Sequence, residues 1–270
     1  MSTITSKTTI LDEFFAIPDV HKPIDNKYLL DSIFGAIEER QPSIIVQGGD
    51  IANFEKLSRF LSDPRRREDI PAVLADIRQF FHELRRIAPN ARIIFKAGNH
   101  DVRLYKTLME KAPALIGLPE LEMDAIFGLK AANVEFYGTD DRLIIDGLKI
   151  THGTKYSSSG PAYTAMAEMR NAESNLSGLS FHVHDFAKVY ARDRFWMVGG
   201  FCGSMDPRAH GYLGDTVPAW KAGFTHGYRV QIDSREGGRF AGRETKWLLN
   251  NVESFGPKHS QFLLGDKVYG

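Results

Sequence analysis

Five short segments of this chain carry residues that bind divalent cations, in a fixed order: Asp19-x-His21, Gly49-Asp50, Gly98-Asn99-His100-Asp101, Thr151-His152-Gly153 and His182-x-His184. Aspartate, asparagine and neutral histidine together suit two hard-to-borderline divalent ions held side by side. Two such ions about 3.5–4 Å apart can clamp a phosphoryl group and turn a shared water into a nucleophile at neutral pH. A carboxylate such as Asp50 has two oxygens and can touch both ions, and two dications in a low-dielectric cleft need such anions. Asn99 offers a neutral amide oxygen, which ligates a hard cation without adding charge. In an extended chain, residues two apart face one side, so Asp19 with His21 and His182 with His184 are each expected to reach a common ion. Five of the nine histidines lie inside these segments, and His82, His210, His226 and His259 lie outside them. Each segment alone reads as a polar turn; the ordered set of five is what points to a binuclear centre.

That ordered set resembles the calcineurin-like metallophosphoesterase superfamily, whose pattern runs D-x-H, G-D-x-x-D, G-N-H-[DE], a lone H, and G-H-x-H. The resemblance spans roughly residues 14 to 200. It implies an α/β fold, a β-sandwich of two mixed sheets flanked by helices in four layers, αββα, with the ligands on loops after the strands. By motif position Asp19, His21, Asp50 and His184 match one metal site, and Asp50, Asn99, His152 and His182 the other, with Asp50 bridging. His100 matches the non-ligand histidine beside the scissile ester. The expected cofactors are two divalent ions, manganese, iron or zinc, with manganese favoured. Small phosphoesterases encoded by bacteriophages and bacteria have a similar layout.

Two positions depart from the pattern. Asn53 stands where the superfamily often has an aspartate that orients the catalytic histidine, so Asn53 is expected to touch His100 without supporting an imidazolium by charge, with Asp101, Glu55 or a substrate oxygen as the substitutes and Asp101 the first to test. Phe181 replaces the glycine before the paired histidines and is expected to reshape that wall of the cleft. The D-R-G continuation of Ser/Thr protein phosphatases is absent. Arg103, two residues past the third segment, can grip a phosphate with its planar fork.

The elements that must position these residues follow from hydrophobic pattern. Short apolar runs at 14–17, 43–47 and 92–96 each end at a motif and read as strands. Apolar spacing of three and four residues predicts helices over 27–40, with Asp25-Asn26 as the cap, and over 68–88. Ligands at the C-terminal ends of strands are where α/β sheets place them. From 134 onward, strands at 134–137, 142–146, 148–151, 179–183, 187–191, 194–199 and 226–232, with a helix over 161–170, suggest the second sheet of a sandwich. Residues 203–218 read as a functional or interface loop. One domain is expected over 1–270, with its core over about 14–232 and a tail from 233 that packs elsewhere, on another subunit if the chain is a homo-oligomer.

Composition sets bounds. Lysine plus arginine and aspartate plus glutamate are 34 each, so net charge drives the chain toward neither nucleic acid nor membrane. The single cysteine, Cys202, excludes an internal disulfide and is expected to be buried; that suits a reducing cytoplasm. No secretory leader and no membrane span are expected. The Arg65-Arg66-Arg67 run reads as a solvated loop available to a nucleic-acid strand, and Phe201, Tyr212, Trp220, Phe224 and Tyr228 as core, one or two of which could stack a base. The expected activity is hydrolysis of a phosphoester, with a nucleotide or nucleic-acid diester as the leading substrate. A phosphomonoester of a small molecule or phosphoprotein is the alternative, and a non-catalytic binding protein of the same fold is the third reading.

Overall fold

A computed structural model describes residues 4–59, 68–156, 160–210, 218–236 and 238–270. The elements run β1 (Ile4–Ile17), α1 (Lys27–Arg40), β2 (Ile44–Gln47), α2 (Ile70–Ile87), β3 (Arg92–Lys96), α3 (Arg103–Lys111), α4 (Met123–Ile126), β4 (Val134–Tyr137), β5 (Leu143–Ile145), β6 (Leu148–Ile150), α5 (Pro161–Asn171), β7 (Ser177–Ser180), β8 (Ala187–Ala191), β9 (Arg194–Val198), β10 (Gly223–Glu236), β11 (Arg239–Glu253), β12 (Phe262–Leu264) and β13 (Lys267–Tyr269). Six strands form one sheet in the order β11-β10-β1-β2-β3-β4, and five form a second in the order β5-β6-β7-β9-β8. Both sheets are mixed: β1 to β4 run parallel, while β10 is antiparallel to β1.

Strict alternation along the central strands builds the layers. Phe15, Ile17, Ile45, Ile93 and Phe95 face the helices, against Leu29, Ile33, Ile77 and Phe81 of α1 and α2. Their neighbours Phe14, Ala16, Ile44, Val46 and Ile94 face the other way and meet Ile150, Leu179, Phe195 and Met197 between the sheets. Trp196 and Val198 of β9 then pack on Ala165 and Met169 of α5. The result is an αββα sandwich. A strand buried on both faces reads as a continuous apolar run, which is why β1, β2 and β3 stood out in the sequence. The helices start where caps allow. The Asn26 side chain accepts from Leu29 N at 3.2 Å, and the Asp69 side chain from Ala72 N at 3.3 Å.

Several expectations change. β1 begins at Ile4, ten residues before the apolar run, because its β-branched, half-polar N-terminal part pairs with β10 from Ile4↔Glu236 onward. β4 and β10 belong to the first sheet, where pairing with β3 and β1 claims them, and not to the second. The stretch from 233 is no detached tail. It completes β10 and returns as β11, whose Trp247 and Leu249 enter the core between the sheets. Phe262, Leu264 and Tyr269 then join the core on the helix side of the first sheet. Cys202 is buried, and burial pushes its thiol well up. Arg65-Arg66-Arg67 and Tyr212 lie outside the described residues. Among the described residues, no helix is long and apolar enough to cross a membrane.

Candidate metal centre

The five segments converge. β1, β2 and β3 end side by side, so the loops carrying Asp19, Asp50 and Asn99 meet above the first sheet, while the loops after β6 and β7 bring His152, His182 and His184 from the second. His184 Nε2 lies 3.3 Å from Asp19 Oδ1 and 3.3 Å from His21 Nε2. His152 Nε2 lies 3.1 Å from Asp50 Oδ2 and 3.9 Å from Asp19 Oδ1. Among the described residues three constellations result, Asp19–His21–His184, His21–Asp50–His100 and Asp50–His152–His182, each with ligand-type atoms within 4.8 Å of one another, and the middle one shares a residue with each of the others.

Extended backbone does not place the paired residues, contrary to expectation. β1 stops at Ile17 and β7 at Ser180, and the ligands follow in left-handed conformations: Asp19, His21, Asp50, His182 and His184 all have positive φ, from +20° to +70°. Each such non-glycine residue costs about 1 kcal/mol or more, and such strain clusters at functional sites. Glycines allow the loops to cross closely. A Cβ on Gly98 would sit 2.2 Å from Asp50 Oδ1, and one on Gly49, at φ +105°, 2.4 Å from His152 Nδ1.

Surrounding groups aim the ligands. His152 Nδ1 donates to the Gly48 carbonyl at 2.9 Å, and His21 Nδ1 to Asn53 Oδ1 at 3.3 Å, so both rings turn Nε2 inward. Asp101 accepts from Asp50 N and Gly98 N, each at 2.7 Å, and from Ala52 N at 3.0 Å. Its carboxylate therefore braces the second and third loops and does not support His100, as had been expected. Asp50 Oδ1 in turn accepts from His100 N at 2.7 Å.

His100 sits at the edge of the cluster. Its Nδ1 donates to the backbone carbonyl of Asn53 at 2.8 Å, and its Nε2 accepts from Arg103 Nη2 at 3.0 Å. Asn53 thus orients His100 through its main chain, while its side chain serves His21, which corrects the role read from sequence. Arg103 Nη1 donates to the same Asn53 carbonyl at 2.9 Å. Phe181 does not line the cleft. It is fully buried between the sheets, against Gly48 and Gly199, where its ring occupies the space side chains there would need.

Asp19 and Asp50 are buried, and among the described residues only histidines stand opposite them. Burial alone would raise Asp50, but His152 and the other imidazoles outweigh it and hold the carboxyl well below its ordinary range. Conversely, burial would lower His152, and the Asp50 carboxylate overrides it, pushing the imidazole up to about 10. Burial and the neighbouring His152 push His182 down to about 4. Four ligand-type atoms, Asp19 Oδ1, Asn99 Oδ1, His152 Nε2 and His182 Nδ1, are buried with no hydrogen-bond partner. Lone pairs that are dehydrated and unpartnered, in a mixed oxygen and nitrogen set, fit divalent cations.

An aromatic wall closes the far side, made by two of the five late aromatic residues that the sequence read as core with one or two able to stack a base. Phe201 stacks on His184 at 4.2 Å, and Trp220 meets both His184 and His210 edge-on at 4.8 and 4.7 Å. His210, outside every motif, is buried and donates to the Ser204 carbonyl at 2.7 Å. Phe224 stacks on Phe15 and Tyr228 bonds Arg40, so neither belongs to the site.

No protein-family model and no curated protein sequence matches this chain. Among solved structures it is similar to vacuolar protein sorting 29 from Cryptosporidium parvum, with TM-score 0.46 and 11% identity over 89% of this chain and 99% of that one. It is also similar to zinc-complexed Vps29 from Entamoeba histolytica, with TM-score 0.41 and 11% identity over 87% and 98% of the two chains. A predicted phosphoesterase from Streptococcus pneumoniae is similar at TM-score 0.36 and 8% identity, over 90% and 99%.

Proposed function

We propose that the chain is a binuclear metal-dependent phosphoester hydrolase of the metallophosphoesterase kind, acting on phosphodiesters of nucleotides or nucleic acid. The observation that carries this reading is the gathering of Asp19, His21, Asp50, His152, His182 and His184 from four distant segments, with Asn99 from a fifth, and with ligand-type atoms among them buried and unpartnered among the described residues. Asp19, His21, Asp50 and His184 would hold one ion, and Asp50, Asn99, His152 and His182 the other, manganese being the favoured metal. When bound, the ions supply charge neutralisation on the phosphoryl oxygens and a nucleophile from water.

The remaining steps fall to the chain's own residues. Asp101 holds the Asp50 and Gly98 loops in register through three backbone amides. Gly48 and Asn53 accept from the Nδ1–H groups of His152 and His21, so Nε2 is the atom each ring turns inward, and the proton that Asp50 favours on His152 would yield its place to a bound cation. The Asn53 carbonyl accepts from His100 Nδ1–H in the same way, so Nε2 is the atom turned toward the leaving-group oxygen, and the imidazolium form, with its second proton on Nε2, is the one that would hand that proton over. Arg103, already directed at that nitrogen, adds a fixed cation beside the phosphoryl group.

The test is hydrolysis of bis-p-nitrophenyl phosphate by chelated protein before and after addition of manganese. Activity that appears with the metal and falls on chelation is expected. Equal rates with and without metal, or no hydrolysis of diester or monoester at any metal loading, would sink the assignment.

A further inference from the structure

Behind β6 and beneath α5 lies a cleft of about 390 Å³ that shares His152 with the candidate metal centre. Thr151, Lys149, Lys155, Tyr156 and Glu168 also line it. Glu168 is 6% exposed, and among the described residues its carboxylate makes no hydrogen bond or ion pair. Lys149, the nearer candidate, is bonded to Glu173 at 3.1 Å. Burial pushes Glu168 up to about 7 against the pull of Lys149 and Lys155. On the same wall, Thr151 Oγ1 is buried and unpartnered. Tyr156 adds an aromatic ring, with Lys155 Nζ 5.3 Å from its centroid.

The Glu168 side chain is largely buried, yet its carboxylate opens to the cleft and to no partner among the described residues, which leaves it available to a donor that enters there. The cleft thus pairs the Glu168 acid and the Thr151 hydroxyl with one aromatic ring, and its rim carries Lys96, Lys149, Lys155 and Arg142 alongside Asp140 and Asp141. Those features match a planar heterocycle that carries N–H donors and is attached to phosphate. A carboxylate can accept two parallel N–H bonds from a base edge that offers a ring N–H beside an amino group, as guanine does; uracil offers one N–H flanked by carbonyls. An aromatic face stacks any base, and lysines suit phosphate. We infer that this cleft is the base-binding subsite for a nucleotide whose phosphoester lies at the metal centre, with Glu168 reading the guanine edge. The inference rests on the phosphodiester reading and names its substrate class.

The experiment is a calorimetric or NMR titration of the full, manganese-loaded chain with guanosine, uridine and guanosine 5′-monophosphate, repeated on Glu168→Gln and Tyr156→Ala. Guanosine should bind about tenfold or more tightly than uridine, the discrimination one bidentate pair provides, and the monophosphate more tightly still. Glu168→Gln should erase the preference, while Tyr156→Ala should weaken both nucleosides alike. Equal binding of guanosine and uridine, or a preference that survives Glu168→Gln, overturns the subsite. A guanine-containing oligodeoxynucleotide in the same titration separates a free nucleotide from a nucleic-acid end as the source of the base. Nucleosides carry no phosphoester, so these outcomes remain readable even if bis-p-nitrophenyl phosphate is not hydrolysed, which would count against the phosphodiesterase reading alone.

Discussion

Two polar clusters of this molecule are built on opposite principles. On the outer face of the first sheet, Glu13 accepts from both Arg40 and His226, with His226 Nε2 at 2.8 Å, and Arg40 also donates to the Tyr228 hydroxyl at 2.7 Å. There every charge has its counterpart, and none of the four residues has positive φ. At the candidate metal centre, two buried carboxylates face histidines alone, four ligand atoms lack partners, and five residues are strained. A cluster that satisfies itself stabilises the fold. A cluster that does not satisfy itself is held in place by the fold for something else to complete. Polar burial is therefore uninformative until partners are counted.

The contrast can be broken most directly at Asp50. Asp50→Asn keeps the shape and removes the charge that, on the proposed reading, both ions would share. Elemental analysis should return fewer than two divalent ions per chain, and turnover should fall to the chelated background. Full metal content with near-normal turnover would erase the distinction between the clusters. Next in size, His100→Ala should lower turnover of bis-p-nitrophenyl phosphate by about 10²–10⁴-fold with metal content unchanged. Metal loss in this variant would make His100 a ligand.

Asn53→Ala sharpens the comparison within the site. Its side chain bonds His21, so metal affinity should drop by about 10–100-fold, measured by competition with a chelating dye. Because His100 bonds the Asn53 main chain, turnover at saturating metal should change far less. The opposite pattern would return Asn53 to the role read from sequence.

The satisfied cluster should answer with stability alone. Glu13→Gln should cost about 1.5–3 kcal/mol in denaturant unfolding, with turnover at 25 °C unaltered. Burial would raise Glu13, but the bonds to His226 and Arg40 win and hold it below its ordinary value of 4.5. Its contribution is therefore present above about that pH and fades as the folded carboxyl protonates in acid. A penalty that persists unchanged at low pH would show that the ion pairs are not its source. The smallest effect is expected at Glu168, whose folded value of about 7 stands above the ordinary 4.5. Between those values the unfolded chain gives up its proton while the folded one keeps it, so stability falls as pH rises across that window. Glu168→Gln should accordingly melt higher than the parent at pH 8, the gap closing toward pH 4.5. A lower melting temperature at pH 8 would mean that Glu168 has a stabilising partner.

The ordered motifs and the flanking strands were legible because they are local. Apolar runs read at 14–17, 43–47 and 92–96 report strands buried on both faces, observed in the last two cases at 44–47 and 92–96, and the three-and-four spacing read over 27–40 and 68–88 reports helices with one buried stripe, observed at 27–40 and 70–87. The identity of the candidate ligands was legible for the same reason, since each residue type carries its own donor atoms. What the sequence could not decide depends on contacts between distant segments. His21 and His184 are 163 residues apart, yet lie 3.3 Å apart because loops from two sheets cross there. Side-chain direction followed from left-handed loops and not from strand alternation, so Asn53 turned to His21 and Asp101 to backbone amides. The N-terminal half of β1 and the whole of β11 have too few apolar residues to announce themselves, and backbone pairing with β10 makes them strands. Glu168 looks in sequence like any acid on a helix. Only packing of α5 onto the second sheet buries it, and only the tertiary structure shows that no described residue bonds its carboxylate there.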